Sequence, residues 1–236
     1  MIIYEGRSKF RGMVGDIQAI LTGYKPDNAS RNSKTGPVCQ LHILVKDENP
    51  KAAQLSGSDQ LVCGTCELRP GDRLEKNKKG VCYVRTRGEI ATWKAHANNP
   101  ERGDAVSILS RIGLRLGAYG DPAMLPEKVI RRLVTVANKF RPNHTGFTQR
   151  WRLKSNQWLR FFCMASVSTP ADAELAQSMG WRTYRARSKD EPIMAGEVTC
   201  PASKEAGNRT TCQQCVLCDG MRSDTDRRKN ITILYH

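Results

Sequence analysis

Seven of the nine cysteines fall in two short sets whose spacing is that of metal ligands. The first is Cys63-x2-Cys66-x15-Cys82, and the second is Cys200-x11-Cys212-x2-Cys215-x2-Cys218. Two residues between cysteines make a tight turn with both sulfurs on its inner side, so both thiolates reach one ion. The Cys-x2-Cys step occurs three times. This predicts a metal-binding protein with ligating segments 61–84 and 198–220, holding zinc or an iron–sulfur cluster. Four thiolates suit either, so the second set leaves the metal open. The three thiolates of the first set need a fourth ligand to close a tetrahedral site: Cys39, His42 or a cysteine of the second set. Alternatively they hold a [4Fe–4S] cluster with one iron open to substrate or cofactor.

A third constellation is Leu116-Gly117-Ala118-Tyr119-Gly120-Asp121-Pro122. Small residues ending a strand let the backbone approach a ligand at the carboxyl edge of a sheet, where α/β folds bind ligands. Gly117, Tyr119, Gly120 and Asp121 are therefore candidate cofactor-binding residues, with the Asp121 carboxylate available to an amine or a ribose hydroxyl. A plain turn also accounts for Gly, Asp and Pro here. Thr148, Gln149 and Trp151, and Met164, Ser166 and Ser168, close two further strands as pocket candidates or as solvated strand ends. His42, His96, His144 and His236 show no pairing pattern. Cys39 and Cys163 lie in apolar runs and are expected as buried thiols. Phosphate loop, dinucleotide fingerprint, zinc-protease helix and nucleophile elbow are all absent from the sequence, and no catalytic residue stands out.

These residues need elements to position them. VCQLHILV (38–45), GVCYVRTR (80–87), LRLGAYG (114–120), TGFTQRW (145–151), LRFFCMASVS (159–168), WRTYRARS (181–188) and the final ITILYH read as strands. Asn49 before Pro50 starts a helical turn. GEIATWKAHANN (88–99) reads as a helix with Ile90, Trp93 and Ala97 on one face. PEKVIRRLVTVANKF (126–140) is amphipathic, with Val129, Ile130, Leu133, Val136, Ala137 and Phe140 on its apolar side. Thr169 caps a helix that opens with Pro170 and ends at Gly180. Segments 25–37 and 71–80 read as loops. Strand–helix alternation with nearly continuous apolar strands points to parallel βα units with buried strands. The expected fold is a single α/β domain over 1–236, a partial or irregular βα barrel with cysteine-rich metal-binding loops.

Composition bounds the partners. Lys and Arg number 38 against 23 Asp and Glu, a formal charge of +15. That favours a nucleic acid or nucleotide as partner, although the charge is spread along the chain rather than gathered into a tail. No run reaches the roughly 18 apolar residues of a membrane span. The first residues carry no apolar signal-peptide core. The reading is cytoplasmic, where clustered thiols serve metals more often than disulfides. Oligomeric state is not legible.

Two resemblances add to this. NSKTGPVCQLHIL, LGAYGDPAMLP, FCMASVSTPADAELAQSMGWRTYR and CPASKEAGNRTTCQQCVLCDG, which together span most of the chain, resemble an uncharacterised family of phage and plasmid proteins. More distantly, Gly120-Asp121-Pro122 followed by a helix is similar to the Gly-Glu-Pro strand end of the radical-SAM superfamily, and Cys82-Tyr83 to the end of its cluster motif. That resemblance implies a [4Fe–4S] cluster on Cys63, Cys66 and Cys82, S-adenosylmethionine near Asp121, and a second cluster or zinc site at the C-terminal set. The family's cluster spacing is x3 then x2; here it is x2 then x15. Two functions stay open: a radical-SAM-like enzyme from a phage or mobile element, and a zinc-stabilised basic protein that binds nucleic acid without catalysis.

Overall fold

Three apolar runs near the start of the chain form β1 (Ile2–Arg7), β2 (Asp16–Thr22) and β3 (Cys39–Val45). In a computed structural model, which describes residues 1–25, 29–30, 32–69, 82, 84, 86–98 and 105–235, these strands pair antiparallel, with Ile17 opposite Val45 in the second pair. From β3 onward the pairing changes hand. β3 runs parallel to β4 (Leu114–Tyr119), and β4 parallel to β5 (His144–Thr145), which completes a five-stranded sheet in chain order. The second sheet holds β6 (Phe147–Thr148), β7 (Met164–Val167), β8 (Thr183–Arg187), β9 (Glu197–Thr199) and β10 (Asn230–Leu234). Its order is β6-β7-β8-β10-β9, and it is parallel throughout. The chain is thus an α/β protein with two parallel-rich sheets.

Gly146 alone separates β5 from β6. Its N–H donates to the Cys218 carbonyl at 3.0 Å, and its own carbonyl accepts from the Met164 N–H at 2.9 Å. A Cβ at this position would lie 2.7 Å from Cys163 Sγ and 2.8 Å from the Phe162 carbonyl oxygen. Only glycine lets the chain pass from one sheet to the other here.

The helices sit largely between parallel strands. α1 (Pro50–Ser56) starts where Asn49 accepts from the N–H groups of Lys51 and Ala52 at 3.1 Å each. α2 (Gln60–Cys63) and α3 (Thr86–Asn98) follow in the same connection. α4 (Leu109–Ile112) leads into β4. α5 (Glu127–Ala137) buries Ile130, Leu133, Val134 and Ala137. α6 (Pro170–Ser178) begins under the Thr169 hydroxyl, which accepts from the Asp172 N–H at 3.1 Å. α7 (Cys212–Cys215) is a single turn. The main core gathers Ile17, Ile20, Leu41, Ile43 and Leu116 with the buried Trp151 and Trp181, and Cys39 and Cys163 are buried as expected. No helix among the described residues is long and apolar enough to cross a membrane.

Several expected elements are corrected. No strand spans 80–87: Cys82 and Val84 are irregular, and Thr86 and Arg87 already belong to α3. The remaining positions there, and the loop at 71–80, lie outside the described residues, as do 26–28 and 31 of the loop at 25–37. α3 buries Glu89, whereas Ala97 is exposed. α5 stops at Ala137, which leaves Phe140 72% exposed rather than on the apolar face. The strand expected from 159 begins at Met164, because Lys154–Phe161 winds as a 3-10 helix. The strand expected over 145–151 breaks at Gly146 and ends at Thr148.

The strands are also less uniformly apolar than expected. In β8, Thr183, Arg185 and Arg187 are buried on one face, with Tyr184 and Ala186 on the other. Arg185 makes a fully buried, two-pronged ion pair with Glu197, at 2.8 and 2.7 Å. A guanidinium survives burial when its fork meets a carboxylate in this way.

Candidate active site and metal centres

The first cysteine set grows out of α2, whose last residue is Cys63. The chain then reverses through Gly64, at φ 60°. Cys66 N–H donates to the Cys63 carbonyl at 3.3 Å, and Arg69 N–H to the Cys66 carbonyl at 3.2 Å. Two arginines brace this turn. Arg69 forms a buried two-pronged pair with Asp59, and the Asp59 carbonyl accepts from Cys63 N–H at 2.9 Å. Arg150 donates to the Thr65 hydroxyl and lies so close to Gly64 that a Cβ there would stand 3.0–3.1 Å from its side chain.

The electrostatics of this set point toward a cation. Burial, reinforced by the neighbouring Asp59, Cys66, Cys82 and Asp121, pushes the Cys63 thiol up. Burial lifts Cys66 to about 11 and raises Cys82 as well. Opposing this, the backbone amides of Leu68 and Val84 pull the Cys66 and Cys82 thiols down. Such donors favour the thiolate. Three thiols within electrostatic reach of one another thus share amide donors and two carboxylates. Asp59 is already matched by Arg69. Among the described residues the thiols have no such partner.

The candidate fourth ligands are otherwise engaged. Cys39 is buried and its thiol donates to the Gly23 carbonyl at 3.6 Å. His42 meets Glu89 through Nδ1 at 2.5 Å and the Thr22 hydroxyl through Nε2 at 3.0 Å.

Gly117, Tyr119, Gly120 and Asp121 lie beside this set. Asp121 N–H donates to the Val62 carbonyl at 2.7 Å. One Asp121 carboxylate oxygen accepts from Ala123 N–H at 2.9 Å and from the Thr148 hydroxyl at 2.8 Å; the other accepts from Gln149 N–H at 2.8 Å. Asp121 therefore knots the ends of β4 and β6 to the cysteine turn, and its oxygens face protein donors. Gly120, at φ 77°, allows the close approach: a Cβ would lie 2.6 Å from the Ile43 carbonyl oxygen. Gly117, at φ 63°, would similarly meet the Gly120 carbonyl at 2.7 Å. Tyr119 is buried, and its hydroxyl pKa is raised by burial and by the neighbouring Cys63 and Asp59.

The second set gathers from three places. Cys200 follows β9 and its N–H donates to the Thr232 carbonyl at 2.8 Å. Cys212 and Cys215 bound α7, which a Thr211–Gln214 capping box starts and a left-handed Val216 ends. Cys218 is pushed up by burial and then by Cys200, Cys212 and Cys215. The backbone amide of Leu217 pulls the Cys215 thiol down, repeating the pattern of the first set. The loop is docked by Cys212 N–H on the Lys34 carbonyl at 2.9 Å and Gln213 N–H on the Thr35 carbonyl at 3.1 Å. Behind it, Arg182 donates to the carbonyls of Leu217 (2.7 Å), Gly220 (3.1 Å) and Lys229 (2.6 Å). Among the described residues, no three His, Cys, Asp or Glu side chains stand in a metal-binding arrangement.

A cavity of about 460 Å³ lies between the two sets. Alternate positions of successive strands face it: Gln40 from β3, Arg115 from β4, Phe147 from β6, Ser166 from β7, Tyr184 from β8 and Ile233 from β10. Leu68 and Val84 reach it from the first cysteine segment, and Cys200 from the second. Of the strand-end candidates, Gln149, Ser166 and Ser168 line it, whereas Trp151 and Met164 are buried in the core and Thr148 serves Asp121. Glu89 of α3 also faces the cavity, paired with His42. Sequence reasoning missed Gln40, Glu89, Arg115 and Tyr184. A period of two in the polar residues of short strands is the signal that marks the three strand positions. Glu89 has none, since its partner is 47 positions away.

Compared with known proteins, the chain matches no family model, no curated protein and no solved structure.

Proposed function

We propose that the chain is an iron–sulfur enzyme of radical-SAM type. In this reading a [4Fe–4S] cluster is held by Cys63, Cys66 and Cys82, and a second, closed metal site by Cys200, Cys212, Cys215 and Cys218. The observation that carries it is positional. The first cysteine set follows β3, the first of six strand positions that run parallel and neighbour one another in chain order (β3, β4, β5 with β6, β7, β8 and β10). It is bonded to the Gly120-Asp121-Pro122 turn that ends the second of those strands. That succession suits a partial βα barrel curved around the cavity, with its reactive groups at the carboxyl ends of the strands.

The donor sets support different roles for the two sites. The first offers three thiolates, and Cys39, His42, Asp59 and Asp121 are each held by other groups. Three thiolates leave one iron open, and such a cluster supplies single electrons where S-adenosylmethionine can ligate. The second offers four thiolates, which suits a closed structural site such as zinc. Gly117 and Gly120 let the strand end pack closely on neighbouring backbone, and Asp121 holds that strand end against the cysteine turn.

The test is metal analysis on protein purified without air. The expected result is about four irons and about one zinc per chain, with a brown absorbance near 400 nm. Cys63→Ala should lose the iron and keep the zinc; Cys212→Ala should lose zinc and stability together. A colourless protein with zinc at both sets would overturn the enzyme reading.

A second reading has one observation in its favour. Arg111, Arg132, Lys139 and the exposed Phe140 border a cleft between α4 and α5. Cations beside an exposed ring suit a nucleic-acid strand. A zinc-only protein whose DNA affinity falls steeply with salt and drops in Lys139→Gln and Phe140→Ala would favour a binding protein without catalysis.

A further inference from the structure

Among the described residues that line the cavity, two cations face one carboxylate, and that carboxylate is already paired. Lys34 and Arg115 face it near the amino ends of β3 and β4. Among the described residues neither makes an ion pair. The carboxylate that lines the cavity, Glu89, is bonded to His42. The rings of Phe147 and Tyr184 also line it, tilted with centroids 4.6 Å apart. Uncharged donors and acceptors complete the wall: Gln40, Gln149 and Ser166, the last two bonded to each other at 2.9 Å.

From these observations we propose that the cavity takes a nucleoside monophosphate as the enzyme's substrate. Its phosphate would lie against Arg115 and Lys34, its base against Phe147 and Tyr184, and its polar edges toward Gln40 and Gln149. Each part answers a different feature. Two cations with no carboxylate partner among the described residues suit a dianion, and Arg binds phosphate in a two-pronged fashion. Aromatic rings suit a flat base. Side-chain amides pair with base edges. The volume of 460 Å³ falls in the range of about 300–1,000 Å³ that holds one small molecule, which favours a single nucleotide over a strand. Leu68 and Val84 of the first cysteine segment border the same cavity, so its ligand would lie beside the proposed cluster. The inference rests on reading the cavity as the substrate chamber. The phosphate distinguishes this ligand from S-adenosylmethionine.

Burial raises the Cys212 thiol, and Lys34 and Arg115 pull it partly back down. Their alternative role is to neutralise that sulfur alone, and the experiment separates the two. The four ribonucleoside monophosphates, their nucleosides, glycerol 3-phosphate and inorganic phosphate are titrated calorimetrically into the metal-loaded full chain. At least one monophosphate should bind about tenfold or more tighter than its nucleoside, the weight of a charge-assisted contact, and tighter than glycerol 3-phosphate. Arg115→Gln should erase the preference over the nucleoside with metal content unchanged. Phe147→Leu should erase the preference over glycerol 3-phosphate. No binding of any monophosphate at millimolar concentration overturns the proposal. So does an Arg115→Gln protein that loses second-site metal and keeps its nucleotide affinity. Iron measured on the same sample keeps the readings apart: iron without nucleotide binding defeats this inference alone, and nucleotide binding without iron defeats the cluster assignment alone.

Discussion

The backbone N–H of Asp121 donates to the Val62 carbonyl at 2.7 Å, so the turn that ends β4 is fixed one residue away from Cys63. Strand end and cysteine turn are one piece of structure. Whatever Cys63 holds is positioned by the sheet itself, not by a loop alone.

The brace beneath that turn is testable. Asp59→Asn removes one partner of a buried ion pair and leaves Arg69 without its carboxylate. Breaking such a pair costs about 3–5 kcal/mol. Urea unfolding of the metal-loaded protein should show a loss of that order. Iron per chain should fall while metal at the second set holds. Unchanged iron would mean that Asp59 does not organise the Cys63–Cys66 turn.

Metal uptake should release protons. Burial holds Cys66 up at about 11 and raises Cys63, Cys82, Cys212, Cys215 and Cys218 as well, so these thiols are protonated at neutral pH without metal. Each ligand must lose its proton to bind, so affinity rises with pH, about tenfold per unit for each proton displaced. Chelator competition across about pH 6.5 to 8.5 reads that slope. A flat profile would show that the thiols are already ionised.

Gly146→Ala should destabilise by about 1–3 kcal/mol through overpacking, because its Cβ meets Cys163 Sγ at 2.7 Å and the Phe162 carbonyl at 2.8 Å. Cys163→Ala relieves the first contact and not the second. The double variant should therefore recover part of the loss in a double-mutant cycle. Strict additivity would place the strain elsewhere.

His144 predicts an acid limb of the stability curve. Burial depresses its pKa to about 4, against about 6.5 in the unfolded chain. The folded state therefore keeps a neutral ring that the unfolded state protonates. This contribution is fully present above pH 6.5 and is lost as pH falls toward 4, by up to about 3 kcal/mol. His144→Asn cannot titrate there and should flatten that limb. A variant as acid-sensitive as the parent would assign the limb to other groups.

Much of this was legible in residue types. The runs at 38–45 and 114–120 are β3 and β4, Asn49 and Thr169 cap the helices expected of them, and Cys39 and Cys163 are buried thiols. What the sequence hid has physical causes. Thr86 and Arg87 have strand-like character, yet they open α3, whose Trp93 indole reaches the carbonyls of Val45 and Lys46 at 3.0 and 3.1 Å. Arg185 and Arg187 look solvent-facing until Glu197 and Glu205 meet them on the buried side of β8. The cavity wall was partly visible as Gln149, Ser166 and Ser168. Arg115 and Tyr184 were absorbed into runs read as continuous. Asp121 looked ready for a ligand because its three donors come from Ala123, Thr148 and Gln149, two of them at the end of β6, which the sequence does not align with it.

The bond from Gly146 N–H to the Cys218 carbonyl, with those from Cys212 to Lys34 and from Cys200 to Thr232, gives the second cysteine set a history as well as a place. The first set draws on α2, the turn after β4 and Arg150, all in place before the second half of the second sheet. The second cannot assemble until the early loop at Lys34, the crossing at Gly146 and the final strand are all in position. A chain stopped short of β10, or threaded in the wrong order, would still offer Cys63, Cys66 and Cys82 to a metal, yet would present the later thiols as a scattered set. A metal at the later site, as proposed, would therefore be a seal of manufacture, set only on molecules whose topology is complete.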